Sequence, residues 1–200
     1  MTYKLYVEGG GEGPRLDTRF REAWQRFFHR AGLAGRMPKV VRGGGRSQTF
    51  EMFRTALANP RRGEVPLLLL DSEGPVTPGR SVWTHLKLVD DWSRPTGAHD
   101  DQAFFMVQIM ETWLLADREA LQRYFGAGFC ADALKAWPKL ESVAKDTVLK
   151  ALERASAGCA TRYSKGRVSF DLLGQIDPGF VGSACPHACA LLDRLRGQPQ

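Results

Sequence analysis

The chain has 200 residues, enough for one sizeable core, and its 43% hydrophobic and 25% charged residues are those of an ordinary globular protein. Its longest strongly apolar run, Val65 to Leu70, is too short to span a bilayer, and Lys4, Glu8, Glu12 and Asp17 leave no apolar secretory leader, so a cytoplasmic protein with no membrane partner is expected. The formal net charge is +6, with arginines crowded between Arg15 and Arg62; such a field favours a polyanion such as nucleic acid, although charged residues coating exposed helix faces give the same composition.

In chain order, Lys4 to Val7 predicts a short strand ending at Glu8, followed by the glycine turn Gly9-Gly10-Gly11. Phe20, Trp24, Phe27, Phe28 and Ala31 recur at helical spacing and predict a helix that ends near Gly32 and Gly35. Val40 and Val41 predict a second strand, broken at Gly43-Gly44-Gly45, after which Ser47 is placed to cap a helix with Phe50, Phe53 and Leu57 on its inner face. Val65 to Asp71 is apolar almost without interruption, as a strand buried on both faces must be. Residues 74–100, rich in Gly, Pro, Ser, Thr and Asp, predict a long excursion without a core of its own. Ala103 to Met110 predicts a fourth strand, and Glu111 begins a helix expected to run to about Phe125. Beyond Gly126 the pattern is helical, and a final helix starts at Pro186 with Ala188, Leu191, Leu192 and Leu195 inward. The β-α-β-α-β order predicts an α/β fold with a mainly parallel sheet flanked by helices, and a helical C-terminal extension.

In such a sheet ligands sit beyond the carboxyl ends of the strands. That rule selects Glu8 and Glu12 after the first strand, Asp71 and Glu73 after the third, and Glu111 after the fourth. With period two, Asp71 and Glu73 would face the same side if the strand continued. Converging carboxylates repel unless a cation neutralises them, and oxygen ligands suit Mg²⁺ or Mn²⁺. Gly9 and Gly10 would let the backbone approach a phosphate, and the turn Arg42-Gly43-Gly44-Gly45-Arg46 offers backbone N–H groups and two cations for a nucleic-acid backbone, although a plain β-α turn reads the same. It lacks the lysine of an NTP-binding loop. His85, His99, Asp100 and Asp101 lie on the excursion and could approach the acids. Cys185 and Cys189 could share a helix face, but His187 would point elsewhere and no second such pair exists, which argues against zinc, and the four cysteines are expected to be free thiols. Trp83, Trp92, Trp113 and Trp137 are expected to pack rather than stack on bases.

Val7-Glu8-Gly9-Gly10-Gly11-Glu12, followed by the apolar strand into Asp71-Ser72-Glu73, resembles the Toprim domain, and its V-E-G-x-x-E form is closest to the overcoming-lysogenization-defect (OLD) branch of nucleases. Met106 to Asp117, Tyr163-Ser164-Lys165-Gly166 and Ile176-Asp177-Pro178 are similar to a small stand-alone Toprim-like family of unknown function, often encoded near ATPases in phage-defence neighbourhoods. The Toprim motifs span roughly residues 3–118, which implies a Toprim-like α/β domain over 1–118 with a helical extension, 119–200, packed on it. The resemblance implies a metal-dependent nuclease or related phosphoryl-transfer effector acting on nucleic acid, with an ATPase as candidate partner; a non-catalytic module on the same fold is the alternative. Glu8 would be the general acid/base or a ligand, Asp71 and Glu73 would hold Mg²⁺ or Mn²⁺, Glu12 would support a second ion, and Glu111 could join them. Lys165 would be the cation near the scissile phosphate. Toprim proteins usually carry D-x-D, whereas the second acid here is Glu73, with its carboxylate one methylene further out.

Overall fold

The computed structural model describes residues 2–10 and 14–197. Four strands form one sheet in the order β2-β1-β3-β4: β1 is Thr2–Val7, β2 Lys39–Arg42, β3 Glu64–Asp71 and β4 Ala103–Met106. Every pairing is parallel, with Leu5 opposite both Val40 and Leu67, and Asp71 opposite Met106. The helices are α1 (Pro14–Phe28), α2 (Arg46–Ala58), α3 (Val82–Asp90), α4 (Glu111–Leu114), α5 (Arg118–Phe125), α6 (Lys145–Ala155), α7 (Arg167–Leu173), α8 (Pro178–Ala184) and α9 (Pro186–Arg196). Helices on both faces of a parallel sheet make this a Rossmann-like α/β architecture, as the element order requires. No helix among the described residues is long and apolar enough to cross a membrane.

Strand alternation divides the interior in two. Leu5, Val7, Leu67, Leu69, Phe104 and Met106 face the larger cluster, which Phe20, Trp24 and Phe27 of α1 share with Trp113, Leu152, Leu172 and Leu192. Tyr6, Leu68, Leu70, Ala103 and Phe105 face the other side, against Phe50 and Phe53 of α2 and Trp83 and Leu86 of α3. Both faces of β3 are thus covered, which is why its sequence is apolar rather than alternating.

Several boundaries differ from the sequence expectation. The stretch 74–100 carries α3 and is anchored in the second cluster, where Trp92 stacks on Phe50 at 4.3 Å between centroids. Its flanking Pro and Gly residues hid a nine-residue helix capped by Ser81, whose oxygen accepts from Thr84 N–H. The α2 cap is Gly45 rather than Ser47, and it supplies no side-chain bond. β4 stops at Met106, and the helix expected over 111–125 is two, because Asp117 leaves helical geometry and caps α5 by accepting from Ala120 N–H at 2.9 Å. The cysteines are free, and His187 pairs with Glu141 at 2.7 Å. Trp83 and Trp113 are buried packing residues.

Candidate metal centre at the carboxyl edge of the sheet

β1 and β3 are neighbours, so Glu8 and Asp71, each at the end of its strand, arrive side by side. Glu8 N–H donates to the Leu69 carbonyl, and Asp71 N–H donates to Glu8 Oε2 at 3.2 Å. Glu73 reaches the same place by a different route from the one its spacing suggests. The strand ends at Asp71, and Glu73 takes a left-handed backbone with φ of 62° instead of continuing the extended alternation. Its N–H is held by the Gln108 carbonyl at 3.0 Å. One carboxylate oxygen from each of Glu8, Asp71 and Glu73 lies within 4.8 Å of the others.

These three acids open onto a cleft of about 400 Å³, also lined by Gly9, Gly10, Met110, Glu111, Lys165 and Arg167. Glu111 enters from the start of α4 rather than from a strand end. Its Oε1 accepts from Ser169 Oγ at 2.9 Å and Tyr163 OH at 3.2 Å, while its buried Oε2 has no hydrogen-bond partner. Burial, compounded by the Glu111 charge, pushes the Tyr163 hydroxyl far above its ordinary value, so it stays a donor. Lys165 lies on the exposed turn before α7 and moderates the charge on Asp71.

The electrostatics are those of crowded acids. Burial holds the Asp71 carboxyl well above its usual range, and the charges of Glu8 and Glu111 raise it further; Lys165 and the Met110 N–H, 2.9 Å from Oδ1, oppose this. Burial likewise raises Glu8, against the pull of Arg46. Arg46 is itself clamped: Asp90 accepts from Nε and Nη2 at 2.8 and 2.7 Å, Nη1 donates to the Asp71 carbonyl, and Glu8 Oε2 stands 3.4 Å away. Burial works against its charge, but Asp90 and Glu8 keep the guanidinium firmly protonated. Lys145, the first residue of α6, donates to Glu73, which raises the lysine's own pKa.

The sequence-selected residues therefore separate into groups. Glu8, Asp71 and Glu73 converge; Gly9, Gly10, Glu111 and Lys165 line the same cleft; Glu12 lies outside the described residues. Arg42, read as a nucleic-acid contact, faces inward: Nε and Nη2 donate to the Gly9 and Gly10 carbonyls, and Nη1 to Asp17, so it braces the glycine turn. Arg46 is an internal counter-charge of the acids rather than a projecting cation. Gly9 is required because a Cβ there would stand 2.8 Å from Phe20, and Gly43 because one would stand 2.7 Å from the Thr49 Cα. His85 does not join the acids; its Nε2 holds the Ser72 carbonyl at 3.1 Å. The sequence reading missed Asp90 and Lys145, which reach the site from elements distant in sequence and carry no local motif. Ser169 and Tyr163 were equally silent as partners of Glu111.

The donor set is all carboxylate oxygen, Asp71 carries an excess of neighbouring negative charge, and Glu111 keeps a buried oxygen unpartnered. These are features a hard divalent cation would relieve, so the residues fit Mg²⁺ or Mn²⁺.

Fold and site together define an α/β protein with a carboxylate cluster at the carboxyl edge of a parallel sheet. The chain belongs to the family described as Domain of unknown function (DUF4276), whose model matches residues 7–196. No curated protein and no solved structure matches it.

Proposed function

We propose that the chain is a Toprim-like, Mg²⁺- or Mn²⁺-dependent nuclease, acting on nucleic acid in phage defence with an ATPase protein as partner. The observation that carries this reading is the convergence of Glu8, Asp71 and Glu73 within 4.8 Å, beside Lys165, in a cleft open to solvent. Asp71 and Glu73, with Glu8 beside them, would hold the ion. When bound, it would polarise a phosphodiester and favour attack by water.

The chain's own groups supply the rest. Glu8 Oε2 is engaged by Asp71 N–H and Arg46, which leaves Oε1 to handle a proton in the cleft. Burial raises its pKa above the ordinary carboxylate range, the direction that suits a group taking and returning a proton. Lys165 contributes an exposed positive charge for a phosphate oxygen, and Arg46, fixed by Asp90, keeps Glu8 oriented.

The test is incubation with plasmid DNA, single-stranded DNA and RNA in Mg²⁺ or Mn²⁺, alone and with the ATPase, beside Glu8→Gln and Asp71→Asn. Cleavage that falls by about 10²-fold or more in both variants is expected. One observation favours a second reading, a non-catalytic module: Arg46 and Lys145 already pair with Glu8 and Glu73. Metal binding by calorimetry without cleavage under any of these conditions would establish it.

A further inference from the structure

α1 and α7 pack closely enough that a Cβ on Gly174 would touch the Ala23 Cα at 3.4 Å, and a groove of about 450 Å³ runs along this seam. Its walls are basic. Arg15, Arg19 and Arg26 stand along one stripe of α1, at i, i+4 and i+11, and span about 16 Å of helix. Phe170 lines both this groove and the acidic cleft, so the two are neighbours on either side of one side chain, and Arg167 and Lys165 line the cleft side.

Two acids occur in the groove, and both are paired: Asp171 with Arg19 at 2.6 Å, and Glu22 with Arg26 at 3.8 Å. Arg15, Arg167 and Lys165 have no carboxylate within ion-pair distance among the described residues, and all three are exposed. Exposed arginines on a helix are ordinary; a row that ends at the candidate metal centre is not.

We propose that the α1–α7 groove is the track of the substrate strand, with Arg15, Arg26 and Arg167 contacting separate phosphates along a nucleic acid whose scissile bond lies in the acidic cleft. This assignment rests on the nuclease reading of that cleft. The contacts are to backbone phosphates, so they fix position and orientation and carry no base sequence. Arg19 is held by Asp171 at 2.6 Å and ties α7 to α1, whereas the Arg26–Glu22 pair, 3.8 Å long with both side chains more than half exposed, is weak enough to yield to a phosphate.

Binding is measured by fluorescence anisotropy with labelled single-stranded DNA and RNA 20-mers, in EDTA and across a range of KCl. In the triple variant Arg15→Ala, Arg26→Ala, Arg167→Ala, affinity should fall about tenfold or more near 0.1 M salt, and the log–log salt slope should shrink by about 2, at roughly 0.7 per lost phosphate contact. The corresponding triple lysine variant keeps the charges and should bind within about threefold of wild type. Should the alanine triple fail to fold, the single variants Arg15→Ala and Arg167→Ala should each lower the slope by about 0.7. Arg54→Ala, Arg61→Ala, Arg62→Ala removes as much charge from the amino-end side of the sheet and should leave the slope near wild type.

An unchanged slope in the alanine variants, or an equal loss in the far-side triple, overturns the proposal. So does displacement of the oligonucleotide by polyglutamate of equal charge, which would make the groove a site for acidic protein. The DNA and RNA arms decide which backbone is preferred. A slope that behaves as expected in a protein that never cleaves would remove the nuclease reading alone. Cleavage by the alanine triple with unchanged KM and slope would remove the track alone.

Discussion

Asp71 is 8% exposed as a residue, and its carboxylate accepts from Met110 N–H through Oδ1 and shares its surroundings with the carboxylates of Glu8 and Glu111. Burial first, and those two charges next, hold its pKa well above the ordinary 3.8. A carboxyl raised in this way binds its proton more tightly folded than unfolded. The stability it lends is therefore complete below the unfolded value and is lost as pH rises through the folded one. Metal-free protein should melt at lower temperature as pH climbs from about 4 through the raised Asp71 and Glu8 titrations. Saturating Mg²⁺ or Mn²⁺ should reverse that loss, adding about 2.7 kcal/mol at a hundredfold excess over Kd. Asp71→Asn should flatten the acid-side dependence, raise the metal-free Tm at pH 7 and abolish the metal-induced shift. Thermal melts at several pH values, with and without metal, read all three. An Asp71→Asn protein still stabilised by Mg²⁺ to the wild-type extent would disprove the ligand role.

α3 shows how an element invisible as a motif enters the site. Its last residue, Asp90, clamps Arg46, which in turn stands beside Glu8; Trp92 stacks on Phe50 and lies 5.6 Å from the guanidinium carbon. The Arg46 and Asp90 side chains are 15% and 13% exposed, so the pair is largely desolvated. Asp90→Ala should destabilise the fold by about 2–4 kcal/mol, because Arg46 would keep its charge without its bidentate partner. Asp90→Asn should cost less and still loosen Glu8, which metal titration would register as weaker affinity while the far-UV spectrum stays native. Unchanged affinity in both variants would show that the clamp is purely structural. The sequence could not announce this. Alternating and near-continuous apolar runs locate β1, β2 and β3, and period 3.6 locates α1, because each reflects burial of a whole face. Glu8 and Asp71 were legible for the same reason: they sit where an apolar strand stops and the sheet edge begins. Glu73 was legible as a member of the cluster, yet its left-handed backbone was not. Asp90 and Lys145 were silent, and Tyr163 stood out only within a family motif and not as a partner of Glu111, because long-range pairing leaves no local period.

At the scale of the whole molecule, one apolar cluster runs from Leu5 in β1 to Leu195 in α9. The helices beyond residue 118 do more than cover the sheet. Phe170 of α7 meets Phe20 of α1 edge-on at 5.2 Å, and Ser169 and Tyr163 hold Glu111 at the mouth of the cleft. A core shared so widely should unfold as one unit, since exposing α7 would also uncover Phe20 and Trp24. Four of the five tryptophans, Trp24, Trp83, Trp92 and Trp113, lie within residues 1–118, whereas α6 to α9 contribute much of the helical signal. Near-ultraviolet circular dichroism is therefore weighted to residues 1–118 while the far-ultraviolet signal reports helices of both parts, and their urea transitions should coincide. Leu172→Ala, at a fully buried position of α7, should cost about 2–5 kcal/mol and move both transitions by the same amount. If the tryptophan transition stayed in place while the helical one shifted, the C-terminal helices would be a separate folding unit. The acidic site would then owe its geometry to the sheet alone, with Glu111 and Lys165 as detachable additions.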